Sequence, residues 1–325
     1  MSEVLAAAQI CACAPGKTIL MGEHAAVYGY PAVAVPLPDL RVQICIEASG
    51  LAVPNCWEDS FSFEVCGSEV LLEKKQRIAF LNCLEMASQL VFEKSLYTFA
   101  PQRLRIVSNL PLGAGMGGSA ALSVALLRLF LNARDSQIAM PHDQLILWAH
   151  MLEKNFHGNP SGLDVAAVLA DGPIEFVKGI GAKSLRAGAD FWLLLVDSGA
   201  RSLTIDMVNR VAAMRSSSPD VVNKSLARLG DLTLSSVDAL RTGRLDIVGN
   251  AMAQAHAELA DLGLSTAKLD AVVASLNRAG ALGAKLTGAG GGGIALGIFS
   301  SEPLLAKDGL FDGLKAFRTR VVAAV

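Results

Sequence analysis

An α+β fold is what this sequence predicts, and three patterns predict it. Short period-two strands dominate the first 110 residues, helical runs fill residues 202–280, and a strand–glycine turn–strand stands near the end. Leu40, Val42, Ile44 and Ile46 alternate with Arg41, Gln43, Cys45 and Glu47, the pattern of an antiparallel strand with one buried face. Phe61, Phe63 and Val65 repeat that period, and so do Leu104 and Ile106. A helix is expected over residues 72–95. Residues 119–133, "SAALSVALLRLFLNA", hold no turn former before their end and are apolar nearly all round, which predicts a buried helix. Another helix should start at Pro141 and run to Phe156, where "GNPSGLD" breaks it. "IEFVK" and "FWLLLVD" read as strands, "AKLTGAGGGGIALGIF" as a strand, turn and strand, and residues 303–320 as a closing helix. A domain boundary is expected between Gly181 and Asp190.

Bulk composition narrows the function. A chain of 325 residues exceeds a typical single core and suits two domains. It is 52% hydrophobic and 18% charged, ample for a large core, and its net charge of −2 argues against a nucleic-acid surface. Five histidines show no HxxxH or HExxH spacing. Cys11 and Cys13 share one strand face without zinc spacing and read as small core residues rather than a disulfide or metal pair. No secretory leader, no membrane span and no peroxisomal ending is visible, so a soluble protein of a reducing compartment, the cytoplasm, is expected.

The stretch Asn109–Leu122, "NLPLGAGMGGSAAL", places four glycines in six positions ahead of Ser119. Glycines let backbone N–H groups approach an anion, and a following helix adds its N-terminal partial charge. A dinucleotide fingerprint would need a strand and an acidic tip after the helix, whereas residues 119–156 read as two helices. The Walker A pattern fails because Cys11 stands at its first glycine position, and no V-A-I-K strand follows as in protein kinases.

Two further stretches decide between phosphate cradles. "PGKTILMGEHAAVYG", "PLGAGMGGSAA" and "KLTGAGGGG" occur in that order across residues 15–293, and together they resemble the three motifs of the GHMP kinase superfamily. Within it, "GKTILMGEHAAVYG" with "FHGNPSGLD" is most similar to the mevalonate kinases. The resemblance implies a ribosomal protein S5 domain 2-like N-terminal domain, placed at residues 1–185 and binding ATP, and a ferredoxin-like C-terminal domain at residues 186–325. It also implies ATP- and Mg²⁺-dependent phosphorylation of the 5-hydroxyl of (R)-mevalonate, a step of isoprenoid biosynthesis. The expected partners are ATP and mevalonate, with no nucleic acid and no membrane, in a monomer or homodimer. Another GHMP substrate (phosphomevalonate, homoserine or a sugar) and a non-catalytic GHMP-fold protein are the alternatives. The latter would be expected to lose Lys17, Glu153 or Asp164, and all three are present.

The same resemblance distributes roles. Backbone donors of Leu112, Gly113, Ala114, Gly115, Met116, Gly117, Gly118 and Ser119 face the phosphates of ATP. Ser119 and Glu153 hold Mg²⁺, with the Ser119 hydroxyl also placed to cap its helix. Gly118 stands where the family has the first serine of a pair. Asp164 is the catalytic base. Lys17, in a Pro-Gly-Lys turn, pairs with Asp164 and keeps it ionised. Glu23 and His24 line the substrate side, His24 as a neutral hydrogen-bonder. Arg201 holds the substrate carboxylate through its fork, with Lys178 the fallback. Thr204 bonds a substrate hydroxyl or caps the next helix. Gly288–Gly293 packs beside the first glycine loop.

Overall fold

The computed structural model describes residues 10–47, 54–111, 113–134, 140–158, 160–304 and 309–323. Its strands and helices in chain order are β1 (Ile10–Met21), β2 (Ala32–Ile46), β3 (Phe61–Val65), β4 (Ser68–Val70), α1 (Lys74–Phe92), β5 (Leu104–Ser108), α2 (Gly118–Ala133), α3 (His142–His157), α4 (Leu163–Val168), β6 (Ile174–Val177), β7 (Gly181–Ser184), β8 (Phe191–Asp197), α5 (Thr204–Ser217), α6 (Pro219–Arg241), α7 (Leu245–Asp261), α8 (Ala267–Arg278), β9 (Gly283–Leu286), β10 (Ile294–Phe299) and β11 (Ala316–Val321). They group into two compact units that interleave along the chain. The first takes Met1–Gly16, Leu37–Leu112 and Gly117–Leu169, and the second takes Lys17–Pro36, Gly113–Met116 and Ala170–Val325.

In the first unit the strands run β4-β3-β5-β2, with β1 also paired to β2. The alternation legible in the sequence holds at Leu40, Val42, Ile44 and Ile46, which are buried, and at Arg41 and Gln43, which face out, while Cys45, expected on the outward face, is buried. β2 and β5 are antiparallel, as expected. β3 and β5 are parallel instead, because α1 lies between them as the crossover a parallel pair requires. Phe80 of α1 meets Phe61 and Phe63 edge-on at 4.9 and 5.1 Å between ring centroids, which seats the helix on the sheet. α2 is buried almost all round, from Ala120 to Ala133, as its composition predicts, and packs on α1, α3 and α4. Cys11 and Cys45 form a disulfide, with Cα atoms 4.1 Å apart, contrary to the sequence expectation of a thiol core. The cause is pairing: β1 and β2 are neighbours, and cross-strand residues approach this closely whatever their separation in sequence.

In the second unit β11-β8-β10-β9 form a four-stranded antiparallel sheet. β8 is apolar along its length, with Phe191 and Leu193–Val196 fully buried. Helices α7 and α8 cover β9 and β10. α7 approaches β9 backbone to backbone, since Gly249 and Gly283 leave no room for a side chain at either position. The start of β2 pairs with β6, and β6 with the exposed β7, a strand absent from the sequence reading. The helix expected at residues 303–320 is not formed over 316–321. β11 lies there, with Thr319 and Val321 inward and Arg318 and Arg320 outward, and residues 305–308 lie outside the described set. That alternation is the charged edge-strand pattern, and pairing with β8 outweighs local helix propensity. Among the described residues, no helix is long and apolar enough to cross a membrane.

Candidate active site

The second unit gathers most of the motif residues. β1 runs straight through Pro15-Gly16-Lys17, so Lys17 lies in a strand, not in the turn its sequence suggests. It is 3% exposed. Its backbone N–H donates to Met116 O at 3.0 Å, and its Nζ donates to Gly115 O at 3.3 Å. A buried ammonium on the backbone of the first glycine loop is unlike a solvated surface lysine. Gly113 and Gly115 have φ of 65° and 79°, values that glycine reaches without strain. Leu112 lies outside the described residues. The third glycine stretch lies alongside: a Cβ on Gly115 would come within 3.9 Å of Gly288 Cα, and one on Gly293 within 3.3 Å of Ala114 O. The glycines therefore keep two backbones close.

After β1 the chain turns through Gly22, Glu23 and His24. Gly22 has φ 97°, and a Cβ there would lie 2.5 Å from Pro31 O. His24 has φ 60° and its Nε2 donates to Ala289 O at 2.9 Å. Burial lowers its pKa, so the ring is neutral near pH 7, with the proton on Nε2. Glu23 is 2% exposed and ion-paired with the fully buried Lys285. The sequence reading passed over Lys285, although it opens the third motif. Thr18 and Thr287 bond through their hydroxyls at 3.2 Å, and Thr287 Oγ1 donates to Ile19 O at 2.8 Å.

Arg201 forks onto Asp197, Nη1 to Oδ1 and Nη2 to Oδ2, both at 2.7 Å. Burial alone would raise the pKa of Asp197, but the Arg201 fork and the Gly199 N–H hold it below the usual carboxylate range. Arg201 also neighbours the first glycine loop, its Cδ 3.8 Å from where a Gly113 Cβ would sit. Thr204 is the first residue of α5, whose N-cap is Leu203, so Thr204 does not cap the helix. Lys178 is exposed just past β6, its Nζ donating to Val27 O at 3.4 Å.

The first unit gathers the remaining residues. α2 starts after Gly117, whose φ is 70°, and no side chain caps it. The Ser119 hydroxyl, expected to cap, turns to α3 instead: Glu153 Oε2 is 3.3 Å away and His157 Nε2 3.0 Å. Glu153 is 1% exposed. His157 was not among the sequence candidates. Its signal is its spacing, four residues after Glu153 and so on the same helix face. Asp164 lies half-buried in the first turn of α4, behind Gly162 with φ 90°. A carboxylate there suits the helix dipole.

The Ser119 and Glu153 oxygens fit a hard divalent cation. Two ligands at adjacent octahedral positions around Mg²⁺ lie roughly 3 Å apart, close to the 3.3 Å observed. Among the described residues no cluster of three or more His, Cys, Asp and Glu side chains could hold a metal.

Comparison with known proteins bears on the same residues. Residues 82–172 match the model of the GHMP kinases N-terminal domain and residues 236–308 that of the GHMP kinases C-terminal domain. A mevalonate kinase of Thermococcus gammatolerans is 30% identical over 299 residues, 88% of this chain and 87% of that protein. The chain belongs to the GHMP kinase family. A mevalonate kinase of Aeropyrum pernix is 30% identical over 295 residues, covering 89% of this GHMP kinase and 88% of the relative. Solved structures share the fold. The crystal structure of L. major mevalonate kinase in complex with R-mevalonate superimposes with a TM-score of 0.75 at 24% identity, covering 97% of this chain and 96% of that one. The Methanococcus jannaschii mevalonate kinase gives 0.74 at 22% identity, covering 98% and 99%.

Proposed function

We propose that this GHMP kinase transfers the γ-phosphoryl group of ATP to the 5-hydroxyl of (R)-mevalonate. The observation that carries the reading is identity of about 30% to proteins named mevalonate kinase over nearly nine-tenths of the chain. The retained Lys17, Ser119, Glu153 and Asp164 support an active enzyme.

Phosphoryl transfer depends on positioning and on charge stabilisation more than on covalent work by the protein. Backbone N–H groups from Gly113 to Ser119, with the N-terminal turn of α2, hold the phosphates of ATP. The missing first serine leaves Gly118 to contribute its N–H alone. Ser119 Oγ and the Glu153 carboxylate hold Mg²⁺, which when bound offsets charge on the transferred group. Asp164 accepts the proton of the attacking hydroxyl, and Lys17 supplies a positive charge to the transfer. Glu23 and His24, a neutral hydrogen-bonder whose Nε2 proton goes to Ala289 O, shape the acceptor side. Arg201 binds the substrate carboxylate, sharing its donors with Asp197.

Coupled ADP release measured with mevalonate, phosphomevalonate, homoserine and galactose tests the reading. Turnover should require mevalonate. Preference for another acceptor would move the assignment within the family, and no turnover with any acceptor would favour a binding protein.

A further inference from the structure

Two charges sit where charges rarely go. Lys285 of β9 is fully buried, and Glu23 is 2% exposed. They stand 262 positions apart in sequence, with Lys285 Nζ donating to Glu23 Oε1. The ammonium also donates to Leu286 O at 2.6 Å. The second carboxylate oxygen, Glu23 Oε2, is buried and receives no hydrogen bond among the described residues. Stability does not explain such a pair, because well-packed apolar residues in its place are often as stable or more so.

Its place in the chain does explain it. The Gly22–His24 turn holds two consecutive unusual conformations around Glu23, Gly22 at φ 97° and the non-glycine His24 at φ 60°. Such a turn persists only when its surroundings determine it. Pro31 and Ala32 crowd Gly22, and the side-chain links come from one segment, Lys285–Ala289: Thr18 and Ile19 bond Thr287, His24 bonds Ala289, and Glu23 bonds Lys285. Of these links, Glu23–Lys285 is the charged one and the deepest. We propose that Lys285 is a positioning residue of this kinase: from inside β9 it pins Glu23, fixes the Gly22–His24 turn against the third glycine stretch, and makes Glu23 act through Lys285 rather than on substrate. The kinetic part of this inference rests on the kinase reading above; the structural part does not.

Burial pushes the pKa of Glu23 up and that of Lys285 down, and each charge partly restores the other. Other groups face the pair: Lys17 from β1 acts on Glu23, and Lys285 acts on both His24 and His256 of α7. Both imidazoles are held neutral chiefly by burial, so neither supplies a compensating charge near neutral pH.

The test is a double-mutant cycle in the full chain with Lys285→Met, Glu23→Gln and the two together. Each single substitution strands a buried charge, so each should melt roughly 5–15 °C lower. Each should also lose on the order of 10²-fold in kcat/KM for mevalonate, the scale of an ångström-sized misplacement. The double variant should melt closer to wild type than either single and lose no more activity than the worse single. If Lys285→Met stays within about twofold of wild type while Glu23→Gln loses on the order of 10²-fold, Glu23 touches substrate and the proposal fails. Losses that multiply in the double variant overturn it as well. Should Lys285→Met not fold, the pH profile of Glu23→Gln decides. Without its counter-ion, folded Lys285 gives up its proton more readily than the unfolded chain does. Activity relative to wild type should therefore rise with pH below the range in which an ordinary lysine titrates, and a flat ratio overturns the proposal. Wild-type turnover of mevalonate is the control: its absence defeats the kinase reading, while the melting cycle still decides the pair.

Discussion

Replacing Gly283 by alanine should separate α7 from β9. A methyl group there would lie 1.9 Å from Gly249 O, 2.4 Å from the Gly249 carbonyl carbon and 2.6 Å from its Cα. Real Cβ atoms essentially never come within 3.0 Å of such neighbours, so backbone must move from backbone by about an ångström. Neither side has a flexible end that could swing away. A gap of that size forfeits a quarter to a half of the dispersion energy of the contacts it opens, and the buried Val248, Met252 and Ala255 line the same helix. Overpacking typically costs about 1–3 kcal/mol where side chains can yield; with backbone on both sides, about 3 kcal/mol is expected. At about 2–4 °C per kcal/mol this is a fall of roughly 6–12 °C in Tm, read by calorimetry or by far-UV circular dichroism on heating. Gly249→Ala meets Leu282 O at 2.3 Å and should fall similarly. The double variant should cost less than the sum, since one separation relieves both clashes. Because β9 carries Lys285 two residues further on, kcat should fall with Tm. A Gly283→Ala protein melting within about 2 °C of wild type would refute the reasoning.

Three other outcomes are expected. Asp164→Asn should lower kcat by about 10²–10⁴-fold with ATP affinity retained; a rate within about tenfold of wild type would remove Asp164 as the base. Ser119→Ala and Glu153→Gln should each raise the Mg²⁺ concentration for half-maximal rate and weaken Mn²⁺ binding followed by electron paramagnetic resonance, with effects that do not add; unchanged titrations for Glu153→Gln would exclude it as a ligand. Arg201→Gln should raise KM for mevalonate by about 10- to 100-fold and leave KM for ATP nearly unchanged. It should also shift acid unfolding to higher pH. Asp197, held low when folded, contributes stability that is present above its unfolded pKa and lost as pH falls through its folded one. An acid transition at the wild-type pH would show that the Arg201 fork does not set that pKa.

Period and composition made the helices and most strands legible, because burial along one element depends on neighbours in sequence. Leu40 to Ile46 and the wholly apolar α2 needed nothing further. Pairing between distant segments was not legible in that way. Cys11 read as a core thiol and Cys45 as an outward position of its strand until β1 and β2 were seen side by side. Lys17 read as a turn lysine because Pro15-Gly16 is a turn signature, yet β1 continues through it, with its N–H bonded to Met116 O. Residues 316–321 read as helix because their alternation spans only six positions and its partner β8 lies more than a hundred residues earlier. At the candidate site the motifs named the glycine loop, Ser119 and Glu153. They did not name His157, which spacing alone could have found, or Lys285, for which a buried lysine has no local signal.

The Cys11–Cys45 link ties the fold's durability to its redox surroundings. It closes a loop between residues 34 apart in sequence, and a loop of that length stabilises by roughly 3–4 kcal/mol in the chain-entropy account. Cytosolic reductants keep most thiols open, whereas purification in air closes them. The same polypeptide, reduced or cross-linked, should therefore differ in stability by this amount. Lys17 follows Cys11 by six residues on one continuous strand, so the cross-link and the lysine at the first glycine loop share a backbone. Thermal denaturation compared with and without a thiol reductant reads the first effect, and turnover under the same two conditions shows whether the second carries down the strand.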